Sequence, residues 1–240
     1  MDKQLDQKPS VPNKLVIGIL IAPLTVFLLV LLVMYATGRL FFFQPNPFGK
    51  AVKVPTRLEQ ADRNRNGVPD PLDLVREGRR EILRGTIYDG RYYASGSPPE
   101  GRGACSDVIW RAYRGMGFNL KAALDADIQQ RPALYGATGR HPDPAIDYRR
   151  VRNQKVYFAQ HGKSLTVEVV PGDAKNLVQW QAGDLVVFDK PKEHIAIISD
   201  KRRRDGVPLL IHNCGPVASE SDYLLQWPTD IVGHYRFLPE

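Results

Sequence analysis

Gly183-Asp184-Leu185-Val186-Val187-Phe188, His194-Ile195-Ala196-Ile197-Ile198-Ser199 and Leu209-Leu210-Ile211-His212 follow one another with only short polar gaps between them. Each is a short apolar run rich in β-branched residues. Gly183 precedes the first, Pro191 follows it, and Asp205-Gly206 precedes the third. Such runs read as buried strands, and Asp-Gly is a hairpin signal. Residues 232–238 read as a closing strand. Upstream the period changes. Cys105, Val108, Ile109, Ala112, Tyr113 and Met116 recur at helical spacing, and Gly115 and Gly117 mark the end of that helix. Residues 72–83, 120–130 and 151–161 read as further helices. Helices first and antiparallel strands second predict an α+β domain.

The 240-residue chain carries 43% hydrophobic and 25% charged residues, the balance of a folded domain. Its formal charge of +7 favours anionic surroundings such as phosphate-rich polymers or lipid headgroups; nucleic acid is not among the partners expected. Two cysteines, Cys105 and Cys214, are too few for a disulfide framework, so one bridge and two free thiols are both open.

Residues 15–36 form an uncharged apolar run long enough to cross a bilayer, and Phe41, Phe42 and Phe43 follow as an interfacial anchor. A cleaved signal is the rival reading. The expected organisation is a cytoplasmic tail over 1–14, a transmembrane anchor over 15–38 and a Pro-containing linker over 39–56. A calcium-loop and helix segment over 57–84 and the main domain over 85–240 complete it. The expected location is the cell membrane, single-pass, with the domain outside the cytoplasm.

Asp62-Arg63-Asn64-Arg65-Asn66-Gly67-Val68-Pro69-Asp70-Pro71-Leu72-Asp73 has oxygen side chains at loop positions 1, 3, 5, 9 and 12 and Gly at 6. This is calcium-loop spacing: the Gly permits a sharp turn and the oxygens converge on a hard cation. Asp62, Asn64, Asn66, Asp70 and Asp73, with the carbonyl of Val68, are the expected ligands of one Ca²⁺. The loop resembles the Asp/Asn-rich extracellular calcium loops of dockerins and thrombospondin-type repeats. A polar turn leading into a helix is the plainer alternative.

Cys105 stands in the first turn of its helix, where the partial positive charge favours thiolate over thiol. A nucleophile also needs a base. His194 opens a strand after a loop, at the sheet edge facing the helix end. His212 lies on the next strand and can orient it. Asn213 is the alternative third residue, on the opposite strand face. Singly, each has a bland reading: a core cysteine, a surface histidine.

In combination, the order of Cys helix, Gly183-Asp184 strand, His194 strand and His212 strand resembles the NlpC/P60-type cell-wall peptidases, a papain-like group. The resemblance is closer to an allied bacterial domain-of-unknown-function family, DUF1287. It is carried by Ala104-Cys105-Ser106-Asp107-Val108, Ile146-Asp147-Tyr148-Arg149-Arg150-Val151, Gly183-Asp184, His194-Ile195-Ala196-Ile197-Ile198-Ser199-Asp200, Ile211-His212-Asn213 and Gly233-His234-Tyr235-Arg236. It implies a papain-like Cys helix packed on an antiparallel sheet, a nucleophile at Cys105, a base at His194 and a third polar residue at His212. It also implies a substrate-positioning role for Tyr88. Asp107 either binds substrate or caps the helix. The activity implied is thiol hydrolysis of an amide bond in cell-wall peptide, that is, peptidoglycan. A non-catalytic binding module and a papain-like acyl transferase are the rivals.

Overall fold

The computed structural model describes residues 23, 25–32, 51–137 and 141–239. Two compact units divide the chain, 1–40 and 41–240. Of the first, residues 25–32 are helical, and Val26, Phe27, Leu28, Leu29, Val30 and Leu32 are exposed. Among the described residues no helix is long and apolar enough to cross a membrane. Most of the expected tail, anchor and linker lies outside the described residues.

The second unit opens with helix α1 (Asp70–Leu83), which starts two residues ahead of the periodic signal because Pro71 is compatible with a first helical turn. Strands β1 (Ile87–Tyr88) and β2 (Arg102–Gly103) form a small parallel pair. Helices α2 (Cys105–Gly115), α3 (Leu120–Gln130) and α4 (Val151–His161) follow at the expected positions. Asn119 caps α3 by accepting the Ala122 N–H at 3.1 Å.

The sheet comprises β3 (Lys163–Ser164), β4 (Leu185–Phe188), β5 (His194–Arg202), β6 (Pro208–His212), β7 (Ser219–Ser221) and β8 (Ile231–Arg236). A short helix, α5 (Ala174–Leu177), precedes β4. The six strands run β3-β8-β4-β5-β6-β7, every pair antiparallel. The architecture is therefore α+β. It corrects one expectation: β5 is an interior strand, not an edge.

Both faces of the sheet are apolar. Leu185, Val187, Ile195, Ile197 and Ile211 pack with α1 and α2 in one cluster. Val186, Phe188, Ala196, Ile198 and Leu210 join Leu177, Trp180 and Leu224 in a second. A strand buried on both faces reads as an unbroken apolar run, hence Leu185-Val186-Val187-Phe188. Helix α1 crosses the sheet at Gly78, where an added Cβ would stand 2.9 Å from a methyl of Ile211 and 3.0 Å from one of Ile197.

Candidate functional site

Cys105 is the first residue of α2, and a buried polar frame holds that helix start in place. Asp107 accepts the Ala104 N–H at 2.7 Å and the Trp110 indole N–H at 3.0 Å. Arg149 clamps the same carboxylate with two bonds, at 2.9 and 2.8 Å. The guanidinium also donates to the carbonyls of Arg91 and Asp89, at 2.6 and 3.1 Å. Gln154 donates to the Ser106 carbonyl at 3.1 Å. Gly103 permits the close turn, since a Cβ there would meet Asp107 Cβ at 2.7 Å. Asp107 thus spends its oxygens inside the fold, as the capping alternative required.

Asn213 plays a similar part. Its amide donates to the carbonyls of Thr86 and Gly103, at 3.1 and 2.9 Å, stitching the segments that lead into α2. His194 has a different partner. Its Nε2 lies 2.7 Å from His212 Nδ1, and His212 Nε2 lies 2.6 Å from Ser221 Oγ. The relay therefore runs His194–His212–Ser221. Trp227 stacks on His194 at 4.1 Å and 18°, and Phe188 lies on the same side at 6.3 Å. By strand alternation, His194 and His212 belong with Ala196 and Leu210 on the second face.

The thiol approaches β5 from the first face, where the backbone N–H groups of Ile195 and Ser106 act on it. Cys105 and the His194 ring thus flank the first two residues of β5 from its two sides. Burial overrides the helix N-terminus and pushes the Cys105 thiol up to about 11, correcting the expectation of a thiolate. Cys105 and Cys214 are both free thiols in this structure. Tyr88 is 49% exposed, and burial followed by the nearby Cys105 raises its hydroxyl. It is the solvent-facing residue of the group.

Burial pushes His212 down to about 4, and burial plus the facing His212 holds His194 well below 6.5. Both rings are neutral at pH 7. Their proton positions follow two self-consistent chains. If His212 Nε2–H donates to Ser221, His194 Nε2–H donates to His212 and His194 Nδ1 is a free base. If Ser221 donates to His212, every donor reverses and His194 Nδ1 carries the proton. The relay can therefore stand in a base form or an acid form without net charge.

A stability consequence follows. Unfolded His212 takes up a proton near pH 6.5, and the folded ring does not until about 4. The unfolded state binds more protons in that window, so stability present above pH 6.5 is lost as the pH falls towards 4. His212 alone should account for about 3 kcal/mol, with His194 acting in the same direction. Urea unfolding at pH 7 and pH 4 checks this. His212→Gln should flatten the slope, and an unchanged slope would remove the relay from the account.

The structure brings Cys105, Tyr88, His194 and His212 to one end of β5, and leaves Asp107 and Asn213 as buried scaffold. Sequence reasoning missed Ser221 and Trp227, and it gave Arg149 no role. Arg149 lay inside a recognised motif. Ser219-Glu220-Ser221 carries no apolar alternation, and Trp227 sits in a loop, so neither gave a local signal. His234 stacks on Trp180 at 3.7 Å and lies 3.2 Å from Asp184, which Arg236 also clamps at 2.7 and 2.8 Å. These residues finish the sheet.

An α+β domain with a cysteine at a helix start on one side of β5 and a buried histidine relay on the other is the class of protein this geometry defines. The comparisons give the family. Residues 75–237 match the model described as "Domain of unknown function (DUF1287)", which spans more than half of the chain. The chain belongs to that family. It is 36% identical over 196 residues to "Uncharacterized protein YijF" of Escherichia coli (strain K12), covering 78% of this chain and 89% of that relative. No solved structure matches the chain.

Proposed function

We propose that this chain is a thiol hydrolase of the peptidase or amidase type. In this reading it is a papain-like relative of the NlpC/P60 enzymes, anchored in the membrane outside the cytoplasm and acting on cell-wall peptide. The observation that carries the reading is the buried His194–His212–Ser221 relay beginning one residue before the N–H that meets the Cys105 thiol. A neutral imidazole is the form a general base requires. In the base form, His194 Nδ1 is the acceptor for the thiol proton as sulfur bonds to the amide carbonyl carbon. Because ring and thiol stand on opposite sides of β5, this transfer requires the start of β5 to shift or a water to bridge it. The C–N bond then breaks and the proton leaves with the amine. Water hydrolyses the thioester and returns the thiol. The N–H groups at the start of α2 supply donors for the oxyanion, and exposed Tyr88 positions the substrate. The apolar run at 15–36 and the exposed apolar side chains of its helical part support the anchor.

The burial of Cys105 and its raised pKa favour a second reading, a non-catalytic module that binds wall peptide or a protein partner. Incubating the full-length chain with wall peptides and analysing the products by mass separates the readings. A hydrolase yields a free amine and a free carboxylate, one water heavier in sum than the substrate. A product joined to a second amine would mean acyl transfer. Unchanged peptides, recovered bound to the protein, would sink the hydrolase.

A further inference from the structure

The segment ahead of α1 folds back on its own polar groups. Asp62 accepts the N–H groups of Asn66 and Gly67, at 3.0 and 2.8 Å. Gly67 makes the sharp turn at φ +81°, with nothing within 4 Å of an added Cβ. The amides of Asn64 and Asn66 both reach the same oxygen, Asp73 Oδ2, at 2.7 and 2.8 Å. Side chains from loop positions 3, 5 and 12 therefore converge on one point. Hydrogen bonds within a loop do not identify a ligand, but a second observation does. Asp70 is only 1% exposed, and its Oδ1 accepts the Arg63 N–H of the loop at 2.8 Å. Its Oδ2 is buried with no hydrogen-bond partner. A buried carboxylate oxygen without a donor is costly, and a cation removes that cost.

We propose that residues 62–73 bind one Ca²⁺. The ligands are the side chains of Asp62, Asn64, Asn66, Asp70 and Asp73 and the carbonyl of Val68. Among the described residues no group of three or more His, Cys, Asp or Glu is gathered for a metal, so the carboxylates alone do not make this site. The set is completed by the two amides. Their oxygens accept the N–H groups of Asn66 and Val68 at 3.2 and 2.8 Å, and an amide oxygen that accepts one N–H keeps a second lone pair for a cation. All-oxygen, mixed-charge ligation of this kind suits a hard cation. The ion pair of Asp73 with Arg76 at 2.7 Å competes for the same carboxylate, which places the site in the weak, roughly millimolar class.

The site goes beyond the hydrolase reading and is independent of it. Its consequence is mechanical. Asp70 opens α1, while Asn64 reaches the Gly115 carbonyl at the end of α2 at 3.4 Å. An ion in the loop would tie the start of one helix to the end of the helix that carries Cys105.

The test is melting of the full-length chain in chelator, in Ca²⁺ raised to about 10 mM, and in Mg²⁺ at the same concentrations, with calorimetric titration of Ca²⁺ alongside. The melting temperature should rise through the millimolar range with Ca²⁺ and much less with Mg²⁺. Asp62→Asn removes a charge and one of the two oxygens that accept the Asn66 and Gly67 N–H groups. Measured against its own melting temperature in chelator, it should need about tenfold more Ca²⁺ for half the rise. If that variant does not fold, the wild-type titrations still decide. No rise and no binding heat in Ca²⁺, or an equal rise in Mg²⁺, would overturn the site.

Discussion

Asp107→Ala is expected to lower stability by about 3–5 kcal/mol, the cost of removing one partner from a buried ion pair. Asp107 is fully buried, and the Arg149 side chain is 3% exposed. The substitution strands that guanidinium among backbone carbonyls and also leaves the Ala104 N–H and the Trp110 indole without their acceptor. For a domain of this size the melting temperature should fall by roughly 10 °C or more. Urea unfolding of the 41–240 unit's signal measures the loss. Arg149→Met in the same background should recover part of it, because the uncompensated charge is then gone. A loss below about 1 kcal/mol would mean that the pair is not what holds the start of α2.

Cys105→Ala should remove peptide hydrolysis altogether, since no other group in the proposed mechanism forms the acyl intermediate. His194→Ala should cost about 10²–10⁴-fold in rate, the usual contribution of general base catalysis. His212→Ala should cost less, because the base itself remains. The pH profile distinguishes this mechanism from a resting thiolate–imidazolium pair. With the thiol pushed up to about 11 and both imidazoles pushed down, the working form is neutral on every member. The profile of kcat/KM should therefore be flat from pH 7 to pH 9, with its acid limb below 6.5. A bell centred between those limits would rule out the neutral relay. So would a Cys105→Ala protein that still cleaves wall peptide.

The parts of this fold that were legible are those in which local pattern and tertiary packing agree. Helices α3 and α4 have the expected bounds, β4 is its apolar run without Asp184, and β5 and β6 are theirs extended by three residues and by one. Strand β7 was invisible because its pairing with β6 is non-local and its residues, Ser219-Glu220-Ser221, carry no strand pattern of their own. Ser221 was lost with it. The cysteine, both histidines and Tyr88 were singled out as residue types in a recognisable order, and the structure places them around the start of β5. Their protonation was not legible. A helix N-terminus is a local feature that can be read along the chain, whereas the desolvation that outweighs it at Cys105 depends on β5 packing across the helix start. Nor could the chain order show that the two histidines approach β5 from the side opposite the thiol, since that depends on which sheet face Trp227 covers.

The contact of α1 with the sheet also carries an evolutionary consequence. Gly78 costs a helix about 1 kcal/mol relative to Ala, yet even the methyl of Ala would press into Ile211 and Ile197 at 2.9 and 3.0 Å. Drift at position 78 by a single step is therefore blocked. A lineage could enlarge it most directly after trimming Ile211, whose contact is a branch methyl and not the flexible end that Ile197 presents, and that trimming would leave a void under α1 until the second change arrived. Positions 78, 197 and 211 form a locked triplet that should vary together across descendants of this sequence or remain as they are.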